Sequence, residues 1–213
     1  AIRVGSIDLF EALLAASEMP DVWRPRIRAR FGHPEAMSRL LTRLADPHKP
    51  EPGPQGMPVG DIADWVTELM LTNGLSLTES RGPDEIAARY LEKQALEAAT
   101  VPPATIALLR QYLAISGDAD SALEQIEALA HANGIDLSSA LASARQRLAQ
   151  LRNGGALNGL VFDAGFSPRL DYYTGITFEM TGQGGQVLVS GGQYDRLLRR
   201  LGAKSDVPSV GCA

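Results

Sequence analysis

The chain has 213 residues, 45% of them hydrophobic, with a net charge of −5 and a sequence pI near 5.2. That length suffices for one substantial core and a small second one, and a mildly acidic chain lacks the broad positive field on which non-specific nucleic-acid binding depends. A single cysteine, Cys212, excludes an internal disulfide.

No apolar stretch approaches the ~18–20 residues of a membrane span. Ala1-Ile2-Arg3-Val4-Gly5 carries neither the apolar region nor the cleavage pattern of a signal peptide. Cytoplasmic placement is the resulting expectation.

In chain order, Leu9, Phe10, Leu13 and Leu14 share one side of a helix that Ser6 or Asp8 would cap. Residues 1–19 are thus expected to be helical and part of the core that the C-terminal third completes. Helical stretches follow Pro20-Asp21 and Pro34, the latter with Met37, Leu40, Leu41 and Leu44 at helical spacing. The basic run from Trp23 to Arg30 reads as a solvated helix face rather than an RNA-binding patch. Residues 46–58 carry prolines at 47, 50, 52, 54 and 58 and are expected to form a linker or exposed loop. His48 lies in that loop with no partner at metal-ligand spacing, so no metal site is expected.

Helices resume with the stripe Ile62, Trp65, Val66, Leu69 and Met70, and stop at Asn73-Gly74. Gly82-Pro83-Asp84-Glu85 opens another that runs to about Ala99, before Pro102-Pro103. Two more are expected at about Asp120–His131 and Ser138–Arg152. The latter's stripe of Leu137, Leu141, Ala144, Leu148 and Leu151 reads as core packing, being too short for a zipper. His131, at a helix end, reads as a capping or solvent-facing side chain. Residues 20–155 form a mainly helical segment on this reading.

Residues 156–213 change character. Leu160-Val161-Phe162 reads as a short strand, Tyr172–Thr181 as a longer one, Gly182–Gly185 as a hairpin turn, Gln186–Ser190 as the returning strand and Tyr194–Leu201 as a helix. Helices followed by an antiparallel sheet make an α+β pattern.

The residues with chemical potential cluster here. Tyr172 and Tyr173 offer ring walls and hydroxyls, Gly191 and Gly192 permit close approach to the backbone, and Tyr194 follows them. Asp163, Asp171, Glu179 and Asp195 could receive an amine or an imidazolium, giving a pocket for a small polar molecule. The competing reading is an ordinary hairpin whose glycines make turns and whose tyrosines pack.

Arg169-Leu170-Asp171-Tyr172-Tyr173-Thr174-Gly175-Ile176-Thr177-Phe178-Glu179 resembles the histidine-specific motif of histidyl-tRNA synthetases, Arg-Gly-Leu-Asp-Tyr-Tyr-x-x-x-x-Phe-Glu. Gly191-Gly192-Gln193-Tyr194-Asp195-Arg196-Leu197 resembles the Gly-Gly-Arg-Tyr-Asp-x-Leu that follows it, and Pro208–Ala213 looks like the approach to the third class II signature. The resemblance covers roughly the last 55 residues and implies a partial class II synthetase-like antiparallel sheet with a large helical insertion. It also implies that Tyr173 and Tyr194 contact the imidazole of histidine, with Tyr172, Gly191 and Gly192 completing the pocket.

Two departures matter. The family's catalytic arginine is replaced by Pro168, with Arg169 one residue later in place of the glycine; a pyrrolidine ring cannot stabilise developing charge as a guanidinium does. Gly5-Ser6-Ile7-Asp8 stands where an Asn-x-Arg-like segment is expected, without its arginine. No first or second class II motif is recognisable, and the apolar end at Val210–Ala213 favours a fragment of a longer protein.

A synthetase-like pocket without that arginine resembles the regulatory-subunit family of ATP phosphoribosyltransferase. This resemblance implies a non-catalytic protein of histidine biosynthesis, without a cofactor. It would form a homodimer within a hetero-oligomer with the short-form catalytic subunit and take histidine as feedback effector. The alternatives are a divergent histidyl-tRNA synthetase and a ligand-free interaction scaffold.

Overall fold

A computed structural model of the chain describes residues 1–46, 57–73, 82–153, 160–168 and 172–212. In chain order the elements are β1 (Ile2–Ser6), α1 (Ile7–Ala16), α2 (Arg24–Arg28), α3 (Pro34–Ala45), α4 (Val59–Thr72), α5 (Pro83–Ala98), α6 (Pro103–Leu113) and β2 (Ser116–Asp118). There follow α7 (Ala119–Ala132), α8 (Ser138–Asn153), β3 (Leu160–Asp163), β4 (Ile176–Thr181), β5 (Val187–Gln193), α9 (Leu197–Arg200) and β6 (Val210–Cys212).

The strands make one six-stranded sheet in the order β2-β3-β1-β4-β5-β6. The pair β1–β3 is parallel and every other pairing is antiparallel, so the sheet is mixed rather than wholly antiparallel. The α+β class expected from the sequence holds. Strand β1 lies in residues 1–19, which the sequence pattern predicts to be helical; it is instead central and pairs on both edges. At five residues, with a glycine and a serine in its second half, its alternation is too brief to announce a strand.

Other elements also differ from expectation: β4 begins at Ile176 rather than Tyr172, and three more differ for identifiable reasons. Helix α6 begins on Pro103 at its first turn, so Pro102-Pro103 starts a helix as well as ending the one before it. Strand β5 runs on through Gly191 and Gly192 instead of ending before them, because Thr177 and Phe178 of β4 and Gly211 and Cys212 of β6 pair with them from the two sides. The helix expected from Tyr194 shrinks to Leu197–Arg200, since the Tyr194 amide donates to the Ser209 carbonyl at 2.8 Å and the Asp195 carbonyl accepts from Val207.

The described residues divide into two compact units, residues 1–45 with 101–213, and residues 46–100. In the first, Leu9, Phe10 and Leu13 of α1 are fully buried. Phe10 stacks on Phe31 with centroids 4.2 Å apart and lies 5.8 Å from the Tyr112 ring of α6. Leu137, Leu141, Ala144 and Leu148 at and along α8 are buried, each leucine contributing roughly 1.5–3 kcal/mol. Arg147 of α8 pairs with Asp8, whose other oxygen accepts from Ser6 and from the Leu9 amide. The second unit packs Ile62, Ala63, Val66 and Met70 of α4 against Ala87 of α5, with Tyr90 and Leu91 at the margin. The proline-rich loop, His48 with it, lies almost wholly outside the described residues.

Candidate functional site

The hairpin β4–β5 brings the aromatic residues together. Its turn closes through the Gly182 amide donating to the Gln186 carbonyl at 2.9 Å, and its register sets Thr177 opposite Gly192 and Phe178 opposite Gly191. The segment before β4 is held to the end of β5 by the Thr174 amide donating to the Gln193 carbonyl at 2.8 Å, and by Thr174 Oγ1 accepting from the Asp195 amide at 3.1 Å.

Tyr172, Tyr173 and Tyr194 consequently form one cluster. Ring centroids are 4.7 Å apart for Tyr172–Tyr173, 5.6 Å for Tyr172–Tyr194 and 6.3 Å for Tyr173–Tyr194, with both contacts to Tyr194 edge-on. Tyr173 is buried, at 3% exposure, whereas Tyr172 and Tyr194 are half-buried. Burial, first, and a hydrogen bond with Tyr172, second, push the Tyr173 phenol up to about 12. Tyr194 donates its hydroxyl to the Val210 carbonyl at 3.1 Å.

The two glycines serve different neighbours, because adjacent strand residues face opposite sides. A Cβ on Gly192 would lie 2.9 Å from Tyr173 Cδ1 and 2.7 Å from the Ile176 carbonyl oxygen. One on Gly191 would meet the Gly211 carbonyl oxygen at 2.4 Å and Cys212 Cβ at 2.7 Å. Gly192 therefore gives the Tyr173 ring its seat on β5, while Gly191 admits β6. Thr177, fully buried beside Gly192, has a hydroxyl with no hydrogen-bond partner among the described residues.

The carboxylates are distributed otherwise than the sequence suggested. Asp163 and Glu179 flank Arg3, at 3.6 and 3.1 Å, and the Arg3 guanidinium lies 4.1 Å from the Phe166 ring centroid. Asp195 accepts from the Ser209 amide and from Gln193 Nε2, which makes it a latch between the ends of β5 and β6. Asp171 and Arg169 lie outside the described residues. Pro168 follows Phe166 and Ser167, both buried, on the loop leaving β3.

Two charged residues beneath the tyrosines escaped the sequence reading. Arg28 Nη2 donates to the Tyr173 carbonyl at 3.0 Å, and its Nε donates to Glu11 at 2.6 Å; the second Glu11 oxygen lies 3.5 Å from Arg196. Within the basic run, Arg28 is the residue tied to distant segments; Arg24 donates to the Met19 carbonyl, and Arg26 and Arg30 donate to carbonyls four residues back, those of Val22 and Arg26. A carboxylate set within the apolar stretch Leu9–Leu14 was the one available signal.

Among the described residues, no group of His, Cys, Asp and Glu could hold a metal ion, and no helix is long and apolar enough to cross a membrane.

The histidyl-tRNA synthetase family model matches residues 85–213. The ATP phosphoribosyltransferase regulatory subunit of Brucella anthropi is 34% identical over 99% of this chain, and that of Agrobacterium fabrum 36% identical over the same share. In each case the match spans 59% of the relative, so the chain covers about three-fifths of these proteins' length. Among solved structures, histidyl-tRNA synthetase from Nostoc sp. PCC 7120 matches with a TM-score of 0.55 at 16% identity, over 100% of this chain and 39% of that one. At that identity the likeness concerns the fold.

Proposed function

This chain belongs to the histidyl-tRNA synthetase family, and from that premise we propose that it forms part of a non-catalytic regulatory subunit of ATP phosphoribosyltransferase. Such a protein supports the first step of histidine biosynthesis and its feedback control. The observation that carries this reading is identity of 34–36%, over nearly the whole chain, to proteins bearing that name. Pro168 supports it chemically. The family motif puts a guanidinium there to stabilise charge developing on phosphate and carboxylate, and an imino acid has no cation to offer.

In this reading the site keeps recognition and loses chemistry. Tyr172, Tyr173 and Tyr194 form the aromatic wall for histidine, Gly192 lets that wall sit against β5, and Gly191 holds the adjoining strand. Control follows from linkage: histidine bound more tightly to one arrangement of the complex shifts the assembly toward it, by no more than its difference in affinity for the two. The partner is a short-form catalytic subunit, and the regulatory protein is a homodimer within the hetero-oligomer.

The test uses the complete protein. Mixed with a purified short-form catalytic subunit, it should raise phosphoribosyl transfer to ATP and make that activity sensitive to histidine. Calorimetric titration with histidine should give binding that weakens in Tyr173→Ala and in the half-buried Tyr172→Ala. The second variant guards against unfolding in the first. Equal affinity in all three proteins would place the effector elsewhere. Histidine-dependent ATP–pyrophosphate exchange would instead establish a working synthetase.

A further inference from the structure

On the first unit, with none of the three clustered tyrosines in its lining, a cleft of about 280 Å³ opens between the α2–α3 junction and α6. Met37, Leu41 and Leu113 contribute apolar surface to it, and Arg30, His33 and Arg110 line it from two sides. No acidic residue is among its lining. Among the described residues, neither Arg30 nor Arg110 has a carboxylate within ion-pair distance.

This arrangement runs against the character of the chain. The protein carries a net charge of −5, and several of its other arginines are paired: Arg3 with Glu179, Arg28 with Glu11, Arg145 with Glu127 and Arg147 with Asp8. Two guanidinia that remain charged at any working pH, both lining one recess and without a paired carboxylate among the described residues, favour an anion there. Arg30 is partly fixed, since its Nη1 donates to the Arg26 carbonyl at 2.7 Å, which leaves its remaining N–H groups for a second acceptor. A planar fork of donors suits the paired oxygens of a carboxylate or phosphate.

We propose that this cleft is a second ligand site, taking a small organic anion: a phosphate or carboxylate head held by Arg30 and Arg110, with a compact apolar body on Met37, Leu41 and Leu113. The volume sits just below the ~300–1,000 Å³ usual for small-molecule sites, which restricts the occupant to something small. The inference does not rest on the regulatory reading. A synthetase or a scaffold with this fold and these residues would carry the same cleft.

Three probes separate head from body: inorganic phosphate, phenyl phosphate and benzoate. Each is titrated into the full chain, following the Met37 methyl resonance by NMR and the affinity by calorimetry. Arg110 is exposed, so Arg110→Glu should leave the fold intact, as a thermal melt checks. Lys204→Glu makes the same change of net charge at an exposed position outside the lining. Phenyl phosphate or benzoate should bind saturably and move Met37, and Arg110→Glu should weaken the better of them at least ~10-fold more than Lys204→Glu does. Preference for phenyl phosphate assigns a phosphate head, and preference for benzoate a carboxylate. The proposal is overturned by absence of saturable binding to ~10 mM, by a Met37 resonance that stays still, or by a smaller difference between the two variants.

Discussion

The guanidinium of Arg28 donates to the backbone carbonyl of Tyr173 at 3.0 Å, joining α2 to a residue 145 positions later in the chain. The same side chain donates to Glu11 at 2.6 Å, so one group spans two acceptors and fixes the tyrosine-bearing segment against α1. Arg28→Met should therefore destabilise the protein by about 1–3 kcal/mol, because the Tyr173 carbonyl and a partly buried carboxylate both lose a charged donor. Arg28→Lys should recover less than half of that, a single ammonium being unable to reproduce the fork. Urea denaturation of the three proteins measures both effects. A lysine variant as stable as the parent would mean that only charge matters.

Gly192 should tolerate no side chain. A Cβ there meets the Ile176 carbonyl oxygen at 2.7 Å and the Tyr173 ring at 2.9 Å, and the first is main chain of a paired strand that cannot swing aside. Gly192→Ala is expected to cost about 1–3 kcal/mol and to disturb the near-ultraviolet circular dichroism of the tyrosine cluster. Gly117→Ala, where nothing lies within 4 Å, should stay within about 0.5 kcal/mol. Comparable melting temperatures for the two variants would show that β5 gives way easily.

These relationships mark how far the sequence could be read. The strand β3, the hairpin turn after β4 and the long amphipathic helices α3, α4, α5, α7 and α8 each carried a local signal, whether alternation, glycines or a stripe of apolar residues. Strand β1 carried none: it is held by partners on both edges, and partners distant in the chain leave no local pattern. Ser116-Gly117-Asp118, with no apolar side chain, becomes β2 only because β3 pairs with it. Likewise the tyrosines and glycines of the site were legible as motifs, but Glu11 and Arg28 were not. Their role depends on α1 and α2 passing beneath residue 173, and that is tertiary information.

Tyr112 presents the opposite case, a phenol whose hydroxyl serves nothing visible. It is fully buried against Phe10, and its oxygen has no hydrogen-bond partner among the described residues. Burying an unpaired hydroxyl costs about 1–3 kcal/mol, so Tyr112→Phe should be neutral or stabilising by up to about 1–2 kcal/mol, where a partnered tyrosine would lose stability. The urea midpoint decides: a clear loss in the variant would reveal an acceptor, such as an ordered water, on that oxygen.

Alkaline pH should unfold the protein through these same buried phenols. Burial raises the Tyr173 phenol from its ordinary 10.0 to about 12, and it raises Tyr112 as well, where the carboxylates of Asp8 and Asp163 add to the effect. Below pH 10 both phenols are neutral in the folded and unfolded chains, and their contribution to stability is fully present. As pH rises from 10 toward 12, the unfolded chain releases protons that the folded one keeps, so stability falls with pH. Tyr173 accounts for at most about 2–3 kcal/mol of that loss. Stability measured by urea titration at intervals from pH 8 to 12 should decline above pH 10, more shallowly in Tyr173→Phe. Superimposable curves for parent and variant would mean that Tyr173 ionises freely in the folded protein.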